Sequence, residues 1–336
     1  MFIDPHVHCR DGTQSYKETI AHALSVAERA GMSAIFDMPN TDPPIFRFEQ
    51  AAERIALARQ TKSPVWYGLY VGLSADREQI VDAVRAYDEL PEVVGCKMFA
   101  GHSTGNLGVT DEKSQQFVYD TLAELGYTGV VAVHCEKESL MKPLLWNPLQ
   151  PVSHCVVRPP QAEVASVRDQ LSFARIADFN GTVHVAHISV PEAVDIVESY
   201  RKKMSVTCGV TPYHCLLDSS ALEKKGLICK TNPPLHIKPM VDQMMDYLCS
   251  GAIDWIESDH APHLLREKLH EPHLSGMPGM PFYPRFIQQI APRMSTHLLH
   301  DVTFGNIQKK FGIDIPQRHC EPQTDLAREY EFDGFG

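Results

Sequence analysis

Eight short apolar runs recur along this chain, at 2–8, 33–38, 64–72, 93–98, 129–134, 182–187, 204–210 and 252–257, and amphipathic stretches separate most of them. Runs of this length between turn-forming residues read as strands buried on both faces. The stretches Tyr16–Ala30, Phe48–Arg59, Asp76–Leu90, Lys113–Leu125, Ala162–Asp178 and Pro191–Lys202 space their apolar residues for one helix face. Strands joined through helices run parallel, and eight such units predict an α/β fold, a (β/α)8 TIM barrel over residues 1–316 with a polar tail at 317–336. A doubly wound open sheet is the alternative, but no Gly-x-Gly-x-x-Gly follows the first strand, where a dinucleotide-binding sheet needs its phosphate loop. A length of 336 residues suits one barrel.

Three connections are long for a compact domain: 99–112, 135–160 and 211–250. Such segments serve as lids, binding loops or interfaces. The net charge of -11 disfavours nucleic acid and anionic membranes as partners and leaves small molecules. Neither a secretory leader nor a run of about eighteen apolar residues is visible. Nine cysteines, at 9, 96, 135, 155, 208, 215, 229, 249 and 320, form no Cys-x-x-Cys pair, which fits free thiols in a cytoplasmic protein.

The polar residues at the strand ends carry the chemistry. His6 and His8 close the first strand two residues apart, so their imidazoles face one side. Lys97 closes strand four, His134 strand five and His187 strand six, and Asp259 follows strand eight. In a (β/α)8 barrel these carboxyl ends meet at one rim, where active sites form. Two histidines and an aspartate suit a transition metal, and two more histidines suit a second ion. A lysine among them requires a chemical reason. Its neutral amine, favoured by burial beside positive charge, reacts with carbon dioxide to give an anionic carbamate able to bridge two ions.

Seven stretches resemble the amidohydrolase superfamily, and within it the dihydroorotase family. They are Asp4-Pro-His-Val-His-Cys-Arg-Asp-Gly12, Asp37-Met-Pro-Asn-Thr41, Gly95-Cys-Lys-Met-Phe99, Val133-His-Cys-Glu136, Ala186-His-Ile-Ser189, Lys230-Thr-Asn-Pro-Pro-Leu235 and Ser258-Asp-His-Ala-Pro-His263. The resemblance implies two zinc ions, one on His6, His8 and Asp259 and the other on His134 and His187, with carbamylated Lys97 between them. It also implies that Arg10, Asn40 and His263 hold a substrate carboxylate and that Asn232 contacts the pyrimidine ring. Ser275-Gly-Met-Pro-Gly279 resembles the loop that lines this pocket. Arg10 separates the dihydroorotase pattern from hydantoinases, which share the metal ligands.

The implied reaction is reversible hydrolysis of the cyclic amide of dihydroorotate to N-carbamoyl-aspartate, in pyrimidine synthesis. Asp259 would take a proton from the attacking water and return it to the departing nitrogen. Gly101 to Gly108 is a candidate lid in which Ser103 and Thr104 could bond the substrate. The chain starts at the first barrel strand, with no room for the amino-terminal β-sandwich of longer relatives. A bare flank suggests a homodimer or association with aspartate transcarbamoylase. A hydantoinase or allantoinase chemistry, or a metal-free assembly partner, are the competing readings; the complete ligand set argues against the last.

Overall fold

The computed structural model describes residues 2–103, 107–316 and 321–336. Eight strands run parallel in the order of the chain: β1 (Phe2–Val7), β2 (Met32–Asp37), β3 (Trp66–Gly72), β4 (Val93–Ala100), β5 (Val130–Cys135), β6 (Thr182–Val185), β7 (Val206–Val210) and β8 (Trp255–Ile256). β8 has only two residues, far fewer than its apolar run suggests. β1 and β8 meet through a single parallel bridge between Val7 and His260. This is the (β/α)8 barrel expected from the periodicity.

Helices Ile20–Arg29, Phe48–Gln60, Arg77–Glu89, Glu112–Glu124, Pro160–Ile176 and Pro191–Tyr200 fill the outer ring. Thr19, Asp76 and Asp111 cap three of them by accepting from an amide of the first turn, and proline opens two others. The segments expected as long connections are partly helical. Ser153–Val157 lies in the 135–160 connection, and Pro212–Leu216, Ser220–Lys225 and Lys238–Ser250 lie in the 211–250 connection. Frequent prolines break the helical period there, so short pieces replace one readable element. Further helices, Tyr283–Ile290 and Asn306–Phe311 among them, follow β8.

The main core lies between the strands and the helical ring. A second cluster closes the barrel floor, where Phe311 packs edge-on to Phe36 at 5.0 Å and against Trp255 at 5.9 Å. With the floor filled, the open end is the carboxyl rim. Residues 321–336 pack back on the barrel: Leu326 is fully buried, and Phe335 stacks on Phe282 at 3.8 Å. No helix among the described residues is long and apolar enough to cross a membrane.

Candidate active site

Six strands and the turns that follow them deliver one cavity at the rim, lined by His6, His8, Arg10, Asn40, Lys97, Ser103, His134, His187, Asn232 and Asp259, with Ser275 and Gly276 at its wall. His6 lies in β1 and His8 just past it, with ring centroids 5.4 Å apart. β4 continues to Ala100, so Lys97 sits inside the strand rather than at its end. His187 and Asp259 follow β6 and β8 in the left-handed region, at φ 40 and 43, and Arg10 has φ 50. Such backbone is costly for residues other than glycine, about 1–3 kcal/mol each, and persists where surrounding contacts enforce it. Three of these residues therefore owe their aim to a strained chain.

Two donor groupings stand side by side. Asp259 Oδ1 lies 3.1 Å from His8 Nε2 and 3.6 Å from His6 Nε2, and the three residues can present ligand atoms within 4.8 Å of one another. His134 Nδ1 lies 3.2 Å from His187 Nε2. Two nitrogens on one zinc at about 2.0 Å stand roughly 3.3 Å apart in tetrahedral geometry. Burial holds His6 down to about 4 and lowers His8 and His134, so their imidazoles are neutral with a lone pair to give. Burial takes His187 further down. Asp259 is the anion of the set: burial opposes its charge, but the His8 contact and the facing histidines keep its carboxyl well below the usual range.

The Lys97 ammonium is fully buried, its Nζ makes no hydrogen bond, and burial lowers it to about 8. A buried amine without a partner, among neutral imidazoles and a carboxylate, fits a site that receives cations and a derivatised lysine. The same holds for His187 Nδ1, also buried and unpartnered.

On the opposite wall, Arg10 is buried and donates from Nε to Pro262 O, with Nη2 3.3 Å from His263 Nε2. His263 Nε2 lies 3.0 Å from Ser275 O, so His263 stands behind Arg10 instead of lining the cavity. Asn40 presents a buried Oδ1 with no partner, and Asn232 is fixed by His154 Nε2 at 3.0 Å. Ser103 reaches the cavity, whereas Thr104 lies outside the described residues.

Three groups of the site had no role assigned from the sequence, although Glu136 closes the Val133–Glu136 stretch. Tyr213 donates its hydroxyl to Asp259 Oδ2 at 2.5 Å. Glu136 takes the Nε2 side of His134 at 2.9 Å and is itself paired with Arg158. Glu257 lies under His6 and His187. A charged residue inside the buried apolar run before Asp259 was the available signal for Glu257. Tyr213 and Arg158 had none, because loop geometry alone brings them in.

A parallel eight-stranded barrel with histidine, lysine and aspartate gathered at its carboxyl rim, taken with the relatives given below, belongs to the cyclic amidohydrolases, an enzyme class that depends on metal. The L-hydantoinase (dihydropyrimidinase) from Arthrobacter aurescens superposes with a TM-score of 0.82 at 22% identity, over 93% of this chain and 70% of that one. Dihydropyrimidinase from Brevibacillus agri gives 0.76 at 21% identity, over 93% and 70%. No family model matches the chain. Its sequence is 31% identical over 333 residues to a dihydroorotase of Methanosarcina acetivorans, covering 93% of this chain and 68% of that protein. A dihydroorotase of Methanosarcina mazei is 30% identical over 335 residues, covering 93% and 70%. The chain belongs to the dihydroorotase family.

Proposed function

We propose that this chain hydrolyses the cyclic amide of (S)-dihydroorotate reversibly to N-carbamoyl-L-aspartate, the ring-forming step of pyrimidine synthesis when run backward. The observation that carries this reading is the convergence of His6, His8, Lys97, His134, His187 and Asp259 on one cavity that Arg10 also lines. His6, His8 and Asp259 would hold one zinc ion and His134 and His187 a second, with carbamylated Lys97 between them. Bound ions would supply a hydroxide at neutral pH and polarise the scissile carbonyl.

The chain's own groups do the rest. The Arg10 guanidinium offers parallel charge-assisted bonds to the substrate carboxylate, with His263 behind it and Asn40 beside it. Asn232 and the Ser275–Gly276 wall bound the ring. Asp259, ionised and held by Tyr213, accepts the proton of the attacking water and delivers it to the leaving nitrogen. Ser103 is positioned to bond the substrate from the 101–108 segment.

Purified protein decides the matter when metal content and turnover are measured together, with dihydroorotate, hydantoin and allantoin as substrates. Two ions per chain and turnover of dihydroorotate above the others is the expected result. Metal with hydantoin turnover alone would place the chain with its structural neighbours, and neither metal nor turnover would leave a scaffold. Asp259→Asn is expected to lower kcat by roughly 100- to 10,000-fold. A cytoplasmic setting accords with the free thiols at the eight described cysteines. Self-association, or pairing with an aspartate transcarbamoylase, would cover Leu144 and Leu149, which are 98% and 91% exposed; sedimentation of the protein alone and mixed with that enzyme tests each.

A further inference from the structure

We infer that Glu257 is a positioning residue common to both ion positions, one buried carboxylate that orients His6 of the first set and the main chain of His187 of the second. The inference rests on the ligand assignment above and not on the identity of the substrate.

Glu257 is fully buried just past β8, two residues before Asp259. Its Oε1 accepts from the His187 amide and lies 3.4 Å from His6 Nδ1. Its Oε2 accepts from His184 Nε2 at 3.0 Å and from Trp255 Nε1 at 3.2 Å. The indole and the amide can only donate, and a carboxylate can only accept, so these contacts have one polarity. His184 carries its proton on Nε2 and turns Nδ1 to the Thr207 hydroxyl at 3.1 Å. The charge beside His6 favours its proton on Nδ1, leaving the Nε2 lone pair toward Asp259. At His187 the effect is on the backbone: the left-handed residue is tied by its own amide to Oε1.

The neighbouring strand makes room for this carboxylate. A Cβ on Gly209 of β7 would lie 2.5 Å from Glu257 Oε2 and 2.8 Å from Trp255 Nε1, so only hydrogen fits there. One anion thereby touches one member of each donor grouping. Disturbing it must disturb both positions together.

Zinc titration of the metal-free protein against a chromophoric chelator reads this without any turnover. In Glu257→Gln one oxygen becomes an amide donor, which must then face either the His187 amide or the Trp255 indole, groups that only donate. The expected result is a fall of roughly 10- to 100-fold in affinity at both positions, with the far-ultraviolet circular dichroism of the metal-free protein retained. Weakening at one position only, or at neither, overturns the inference while leaving the ligand assignment standing. Should Glu257→Gln not fold, Gly209→Ala decides: it keeps the carboxylate but pushes it aside, and the same paired loss is expected, with unchanged affinities the overturning result. A wild-type protein that takes up fewer than two ions overturns both this inference and the assignment beneath it.

Discussion

The cavity divides into a cation side and an anion side, and single residues of each can be tested. Arg10 is the buried cation facing the position assigned to the substrate carboxylate. Replacing it by lysine keeps charge but loses the planar fork. Hydrogen bonds to a charged group are worth about 1.5–3 kcal/mol, so Arg10→Lys is expected to raise KM for dihydroorotate by roughly 10- to 150-fold with a smaller change in kcat. Dihydrouracil, which lacks the carboxylate, should be indifferent to the change; equal losses on both substrates would refute the role. Lys97 offers a second test. Its amine, lowered to about 8 by burial, is mostly protonated at pH 6 and mostly neutral at pH 9. Uptake of 13C-labelled carbon dioxide by the metal-free protein should therefore rise about tenfold per pH unit below 8 and level off above it. A flat profile would mean that Lys97 is not the reacting amine. Both residues were legible in the sequence because each falls in a short motif, Arg10 two residues after His8 and Lys97 as a lone charge in the apolar run of strand four. Tyr213 was not: its hydroxyl reaches Asp259 from a helix more than 40 positions earlier, a placement that no local pattern encodes.

Among the elements, strands were easier to read than the pieces joining their tops. The first seven were predicted within two residues at either end, because a strand buried on both faces is a continuous apolar run. The 135–160 connection was harder, since it is broken by prolines and four of its leucines, Leu140, Leu144, Leu145 and Leu149, face outward. Yet it carries Arg158, whose buried guanidinium pairs with Glu136 behind His134 and donates to His102 O at 2.6 Å. That connection is thereby joined to both a proposed metal ligand and the start of the 101–108 segment. Arg158→Met strands the Glu136 charge, a change that costs about 3–5 kcal/mol for a buried pair. Burial would raise the Glu136 carboxyl, but Arg158 and His134 bring it to about 2, below its usual 4.5. A lowered acid contributes stability that is present above 4.5 and lost as pH falls toward 2. Urea unfolding of the metal-free proteins should show the wild type well ahead at pH 7 and the gap narrowing from pH 4.5 downward. A gap independent of pH would assign the loss to packing instead.

The whole molecule has one weak seam, and the site lies across it. Seven neighbouring strand pairs are laddered, whereas among the described residues β1 and β8 share no ladder: the end of β1 meets the chain past β8 at the Val7–His260 bridge, with the His8 amide on His260 O at 2.8 Å, and the Ser258 amide donates to Asp4 at 3.0 Å. His8 and Asp259 stand on opposite sides of that gap. The carboxyl-terminal segment reinforces it from outside: Tyr330 donates to Glu18 at 2.8 Å and lies 3.0 Å from His260 Nε2, and Glu329 pairs with Arg29. Burial of Leu326 and Phe332 adds apolar area to the same contact. Tyr330→Phe removes the hydroxyl's contacts to both Glu18 and His260 Nε2 and is expected to cost about 1–3 kcal/mol. Deleting 321–336 removes two buried side chains as well, worth about 1.5–3 kcal/mol each, and should lower Tm by on the order of 10 °C. Because His260 carries the carbonyl that positions His8, the deletion should also weaken zinc binding at the His6, His8 and Asp259 position before the His134 and His187 position. Calorimetry with stepwise chelation reads both effects; a truncated protein that melts and binds like the full chain would show that the short β8 holds the seam by itself.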